Sequence, residues 1–364
     1  MPRAAPARVV SITLVLGVAC GGGSTANDAA AIDAGPTYTL PAVAARCAAP
    51  ADRSTRMLAV TDPVPVLALA RGTTDLGLAY VARTAFPQLA HFELQRLTTA
   101  GATIGAPIVM SPVDMAIPGA VSVTHDGSAY LACTVIVGGA SCFRVDAAGA
   151  SHDDAMVLDA TAIAIANGAG GVVGAWIRGG ELNVGPLAGS TGVVATTESL
   201  PSIAPTETGY VVGYTIGGTA YVVMLDASGV AGTPIALGPA RMSARVAVSF
   251  TAGHVGASYI GPSGDAMAAV VTGGAAHALT IGAGAMSHGQ ISIARASDGF
   301  FATWSDLGGA FVDLDGTVTG ARYSHVVAWA DDAHAVIATG DGFVLATNTT
   351  AGATPVDVAV LGCP

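Results

Sequence analysis

Short runs of alternating apolar and polar residues, each broken by a glycine-rich or polar turn, run the length of this chain. The pattern is clearest over 201–232, PSIAPTETGYVVGYTIGGTAYVVMLDASGVAG. It predicts strand, polar turn, strand, glycine turn, strand and Asp/Gly turn. Val211–Ile216 and Thr219–Leu225 are too short for helices and rich in Val and Tyr, which suits half-buried strands.

Variants of this unit recur. What reads as the second strand of each unit appears as LGLAYVA (76–82), SAYLACTV (128–135), VVGAWI (172–177), YVVGYTI (210–216), VGASYI (255–260), FFATWSD (300–306) and AHAVIAT (333–339). Tyr80, Cys133, Trp176, Tyr214, Tyr259 and Trp304 fall at corresponding places, and Ala338 closes the set. A later marker is the turn after the third strand, with its glycine at Gly101, Gly149, Gly189, Gly229, Gly273, Gly316 and Gly352. Asp or Thr opens most of these turns, and Gly tolerates the positive φ that tight hairpin loops require. The two markers give seven units in the same order. A four-stranded unit repeating every 40 or so residues is the period of a β-propeller blade.

The expected fold is therefore all-β: a seven-bladed β-propeller of four-stranded antiparallel blades. Six- and eight-bladed rings, and a non-propeller β-repeat, are the alternatives. One four-stranded sheet cannot bury both faces, and radial stacking buries each blade against its neighbours. The Tyr or Trp at the marker position is expected to fill space between blades, and small residues such as those in VVGAW, YVVGY and VGASY to permit close approach. The repeats resemble the broad family of bacterial secreted propellers with WD40-like or TolB-like repeats, over about Val64 to Leu361. No recurring WD dipeptide or kelch double glycine accompanies them, so the resemblance implies architecture only.

Composition sharpens the picture at a few points. The chain has 364 residues, 48 of them Gly, and 52% are hydrophobic. Much of that apolar content is alanine, so it does not indicate a membrane protein. Lys is absent and Asp far outnumbers Glu, which favours turns over helices. The net charge of −11 comes with no basic cluster. That argues against nucleic acid, whose binding rests on phosphate neutralisation.

The first residues read as an export signal. Arg3 and Arg8 precede an apolar run, Val9–Ala19, too short to span a bilayer. It ends at Cys20, followed by Gly21–Gly23. Leu16-Gly17-Val18-Ala19-Cys20 resembles a bacterial lipoprotein signal, although the favoured Leu stands one place early. The resemblance implies cleavage before Cys20 and lipid attachment to it, with the outer membrane or cell surface as destination. Residues 1–20 are thus assigned to a signal, 21–35 to a flexible spacer, and 36–364 to a single propeller.

Four cysteines remain, and an exported chain permits their pairing. Cys133 and Cys142 flank TVIVGGAS, which places them on adjacent strands of one hairpin. Cys47 precedes the first unit and Cys363 is one residue from the end; joining them would tie the termini together. A ring needs such closure. The segment from Tyr38 is expected to add an outer strand to the last blade or the last strand to the first.

Catalytic and metal motifs are scarce. The eight His are scattered and form no HExxH or metal-ligand spacing. His125-Asp126-Gly127-Ser128 holds the residue types of a hydrolytic triad, but neighbours at a turn cannot orient one another in relay; it is expected to be a plain turn. Asp313-Leu314-Asp315-Gly316 lacks the further oxygen ligands of a calcium loop and is also expected to be a turn. Of the arginines, Arg241 and Arg245 precede one unit's first strand, and Arg144, Arg178, Arg295 and Arg322 lie near strand ends; across a ring some could meet at the central opening. No cofactor is implied. The leading expectation is a monomeric, surface-tethered, non-catalytic binding or scaffold module with a protein or glycan partner at the bacterial envelope. One alternative is a hydrolase or lyase with carboxylates such as Asp126, Asp226, Asp265, Asp298 and Asp331 converging on the central channel. The other is a purely structural envelope protein.

Overall fold

The computed structural model describes residues 51–58, 63–83, 90–111, 116–187, 189, 191–197, 199–283, 291–304, 308–324, 331–340, 342–349 and 356–362. All regular elements among them are strands, grouped as seven separate four-stranded antiparallel sheets. All belong to one unit, Asp33–Pro364. The first strands of the blades are Pro63–Arg71, Ala116–His125, Ala160–Gly168, Ser202–Pro205, Ala247–Thr251, Ile291–Arg295 and Asp331–Ala338. Each contacts the first strands of both neighbouring blades, so these seven close a ring around the axis. The protein is a seven-bladed β-propeller.

The buried apolar residues form seven clusters, and each joins two consecutive blades. This is the consequence of alternation: successive strand residues face opposite neighbours, so every strand feeds two cores. Tyr80, Trp176, Tyr214 and Tyr259 are almost wholly buried, and Trp304 largely so; each packs towards the preceding blade. The glycines between them are sites of close approach. A Cβ on Gly213 would lie 2.4 Å from the Val246 carbonyl oxygen of the next blade, and one on Gly256 would lie 2.4 Å from the Phe300 ring.

Two of the sequence markers shift by register. Cys133 pairs with Ser122 and Tyr80 with Leu67, which puts Thr134, not Cys133, at the aromatic position of blade 2. AHAVIAT is the first strand of blade 7; the second is Phe343–Thr349, where Thr347 takes the aromatic position. A one-residue slip moves a side chain to the other face of a sheet, and with no aromatic at that position in either blade, an apolar residue is the visible landmark. Cys133 and Cys142 are cross-strand partners joined by a disulfide. The bridge is buried in the core between blades 2 and 3, with Trp176.

Closure is achieved by the N-terminal segment. Ala51–Leu58 forms the outer strand of blade 7, pairing antiparallel with Val356–Gly362. In blades 2, 4 and 6 the third and outer strands are joined by an Asp-x-x-Gly turn. Asp146, Asp226 and Asp313 accept main-chain N–H bonds into their own turns, and Gly149, Gly229 and Gly316 hold φ of 85°, 85° and 81°. The Asp313 turn is thus a self-capped hairpin. In blade 7 the chain is open at that point. Cys47 and Cys363 lie outside the described residues; the described pairing nearest to them in sequence is Ala51 with Gly362.

Two outcomes are expected. Peptide mapping without reduction should recover a Cys47–Cys363 linked pair; free thiols at both positions would refute that closure. Gly213→Ala should destabilise the fold by about 1–3 kcal/mol in denaturant titrations, because the added methyl meets backbone in an already filled seam.

Candidate functional site

Strand direction sorts the loops onto two faces. Each inner strand starts on one face, which therefore also carries the second-to-third-strand hairpins and the connectors between blades. The first-to-second-strand turns and the Asp-x-x-Gly turns lie on the other. We call these the connector face and the turn face.

The inner strand of each blade is a sheet edge, with main-chain donors and acceptors directed at the channel. Hydroxyls of the preceding blade meet several of them. Ile165 N–H donates to Ser122 Oγ at 2.9 Å, Val248 N–H to Ser202 Oγ at 3.1 Å and Val336 N–H to Ser292 Oγ at 3.2 Å. Thr251 Oγ1 donates to the Ala296 carbonyl at 2.8 Å. The recurring Ser-Ile-Ala of 202–204 and 292–294 was the sequence signal for this arrangement.

The tempting His-Asp-Gly-Ser set is a turn. Ser128 N–H, Ser128 Oγ and Ala129 N–H all donate to Asp126 Oδ1, and Arg144 pairs with Asp126 Oδ2. His125 Nδ1 accepts from Gly127 N–H instead of facing Ser128. Burial raises the Asp126 pKa, but the bonds from Ser128, Arg144 and Ala129 outweigh it and hold the carboxyl well below its ordinary range. The candidate carboxylates are dispersed. Asp126, Asp226 and Asp298 stand on the turn face in blades 2, 4 and 6, whereas Asp265 is on the connector face of blade 5. The Asp331 side chain lies outside the described residues. No group of three or more His, Cys, Asp or Glu with metal-binding geometry occurs among the described residues.

The arginines separate by environment. Arg144 also pairs with Asp154 at 2.9 Å, and Arg96 pairs with Asp75 at 2.6 Å while Tyr130 donates to the other Asp75 oxygen. Arg178 and Arg241 are exposed, and the Arg322 side chain is not described. Arg245 alone of the singled-out set lies deep in the protein while part of its surface stays open to solvent. It stands two residues before the inner strand of blade 5, at the connector-face mouth of the channel. Burial alone lowers its pKa, and its Nε has no hydrogen-bond partner.

Arg245 has a companion that the sequence did not single out. His334, on the inner strand of blade 7, is 5% exposed, and neither ring nitrogen has a hydrogen-bond partner. Burial pushes its pKa down to about 4; the nearby Thr303 carbonyl opposes this without completing a hydrogen bond, and the Arg245 charge adds to the depression. Thr347, opposite His334 in register, and Thr303 of blade 6 also carry buried hydroxyls without partners.

No family model matches the chain, and no curated protein matches it. Solved propellers do. BBS1N, determined in complex with ARL6DN and soaked with mercury, aligns with a TM-score of 0.54 at 12% identity, covering 88% of this chain and 98% of that one. KlHsv2 with loop 6CD replaced by a Gly-Ser linker gives 0.53 at 9% identity, over 79% and 89%. The Dos1 propeller gives 0.51 at 10% identity, over 86% and 96%. At such identities the likeness is one of fold, and the chain is of the β-propeller class.

The His334 environment makes stability pH-dependent. Between about 4 and the ordinary imidazole value the unfolded chain binds a proton that the folded chain does not, so stability should rise with pH across that window. The effect is on the order of 3 kcal/mol. His334→Leu should reduce the slope of unfolding free energy against pH there; equal slopes in the two proteins would show that His334 is not the group responsible.

Proposed function

We propose that the protein is a non-catalytic binding module, held at the bacterial envelope through a lipid on Cys20, that engages a protein partner with its connector face. The observation that carries this reading is the distribution of exposed apolar side chains. Ten large ones are exposed among the described residues. Six of them, Val109, Val137, Leu158, Leu200, Ile216 and Met242, sit on hairpins, connectors or strand ends of the connector face, across blades 1 to 5. Val137 is 68% exposed and Met242 71%, although both flank tight turns where polar residues would serve equally well. Val230 sits on a turn of the opposite face, and Ile104 and Val193 stand near the turn-face starts of outer strands. Exposed apolar side chains weighted towards one face, with an adaptable Met among them, suit protein binding.

A rigid ring with variable loops suits such a role, and one propeller of similar fold, BBS1N, was solved with a bound protein, ARL6DN.

The test is affinity capture from envelope extract with the wild type and with a Val137→Asp/Ile216→Asp/Met242→Asp triple variant. All three positions are surface sites, and circular dichroism should confirm an intact fold. The variant should lose the captured protein by about tenfold or more, as removal of interface anchors does; an unchanged captured set would refute the face. Mass spectrometry of the mature N-terminus should find a lipid on Cys20, and an unmodified terminus beyond Cys20 would refute the tether.

A further inference from the structure

We propose that the mouth of the central channel, where blades 5, 6 and 7 meet, binds a small oxyanion, with Arg245 as its charged ligand and His334 and the threonine hydroxyls as neutral partners. The site lies on the connector face, and its argument does not depend on the exposed apolar residues of blades 1 to 5.

The first support is an uncompensated charge. A guanidinium cannot shed its proton to escape burial, and a buried cation without a counter-charge is strongly disfavoured. The other internal arginine clusters described above are held by carboxylates; Arg245 has none among the described residues. An ordered water could satisfy its Nε but would not neutralise it.

The second support is the company Arg245 keeps. In blades 1, 3, 4, 5 and 6 the second strand carries a Tyr or Trp at the position facing the preceding blade. In blade 7 that position is Thr347. Alternation turns His334, Thr347 and Thr303 towards the same seam between blades 6 and 7. The seam thus replaces an apolar filler with four buried polar atoms that lack partners, Nδ1 and Nε2 of His334 and Oγ1 of Thr303 and Thr347. Buried polar atoms are normally satisfied, and a group of orphans in one place marks a missing ligand or water.

The third support is reach. The inner strand of blade 5 does not neighbour that of blade 7, since Ile291–Arg295 stands between them. The charge of Arg245 nonetheless bears on His334, and Arg245 precedes its inner strand on the same face from which the His334 strand starts. Its partial exposure gives a solute access from the connector face. Arg favours planar carboxylates and tetrahedral phosphates or sulfates alike, and a neutral imidazole and two hydroxyls can donate to the remaining oxygens.

The experiment uses the whole mature protein, purified in chloride with an amine buffer. The His334 imidazole resonances, assigned with a His334→Asn variant, are followed by NMR as inorganic phosphate, sulfate or acetate is added in separate titrations, with chloride at matched ionic strength as control. A saturable shift of His334 is expected with at least one oxyanion, together with an increase in thermal midpoint that saturates alongside it. The three arms separate a phosphate-type from a carboxylate-type ligand. Arg245→Gln should weaken binding about tenfold or more, Arg245→Lys less so, and Arg241→Gln, at an exposed site four residues away, not at all. Should Arg245→Gln fail to fold, the wild-type titration and Arg245→Lys still decide. No saturable shift with any oxyanion, a matching response to chloride, or undiminished binding by a folded Arg245→Gln would each overturn the proposal.

Discussion

A ring of sheets is stable only if it closes, and here closure rests on one antiparallel pairing between the two ends of the chain. Ala51–Leu58 completes the blade that Asp331–Ala338 begins. Because strand residues alternate between two neighbours, each blade supplies half of two cores, and no blade has a core of its own. Were the terminal strand lost, the last blade would lack its outer edge. The Leu58 contribution to the core shared by blades 7 and 1 would be lost with it. The disulfide between Cys133 and Cys142 plays a different part: it ties two strands already adjacent and adds apolar bulk to a seam, without joining blades.

The same alternation explains how the seam between blades 6 and 7 differs from most of the others. Most seams place an aromatic ring where the second strand meets the preceding blade. In the seam between blades 6 and 7 the Phe301, Phe311, Phe343 and Tyr323 rings gather at other levels. The level of His334 is left to hydroxyls and an imidazole. Packing is thus maintained over part of the seam and relinquished at the channel mouth. There apolar filling gives way to buried polar atoms without hydrogen-bond partners, and packing is forgone.

Much of the architecture was legible because β-propeller repeats leave two independent marks, an aromatic in the second strand and a glycine turn after the third. Those marks gave the blade number, the interblade role of the aromatics, the Cys133–Cys142 hairpin and the turn character of 125–128 and 313–316. They failed where the mark itself was missing. Thr134 and Thr347 are not distinctive, so Cys133 and Ala338 stood in for them, and in blade 7 the reading landed one strand early. The candidate site was half visible. Arg245 was noticed from its place before a first strand, but its isolation depends on which blades flank it. His334 looked like one scattered histidine among eight, since its neighbours Thr303 and Thr347 belong to other strands.

Among the described strands, the one that completes the ring is the first to be made, and its partner is the last. Ala51 and Gly362 meet across nearly the whole sequence. A contact of such separation forms late and slowly, because its loop-closure entropy must be met before any pairing is gained. During synthesis the first strand therefore has no partner, and blades 1 to 6 can assemble only as an open arc. Closure must wait until Val356–Gly362 has been made, so the ring is completed by the slowest of its pairings.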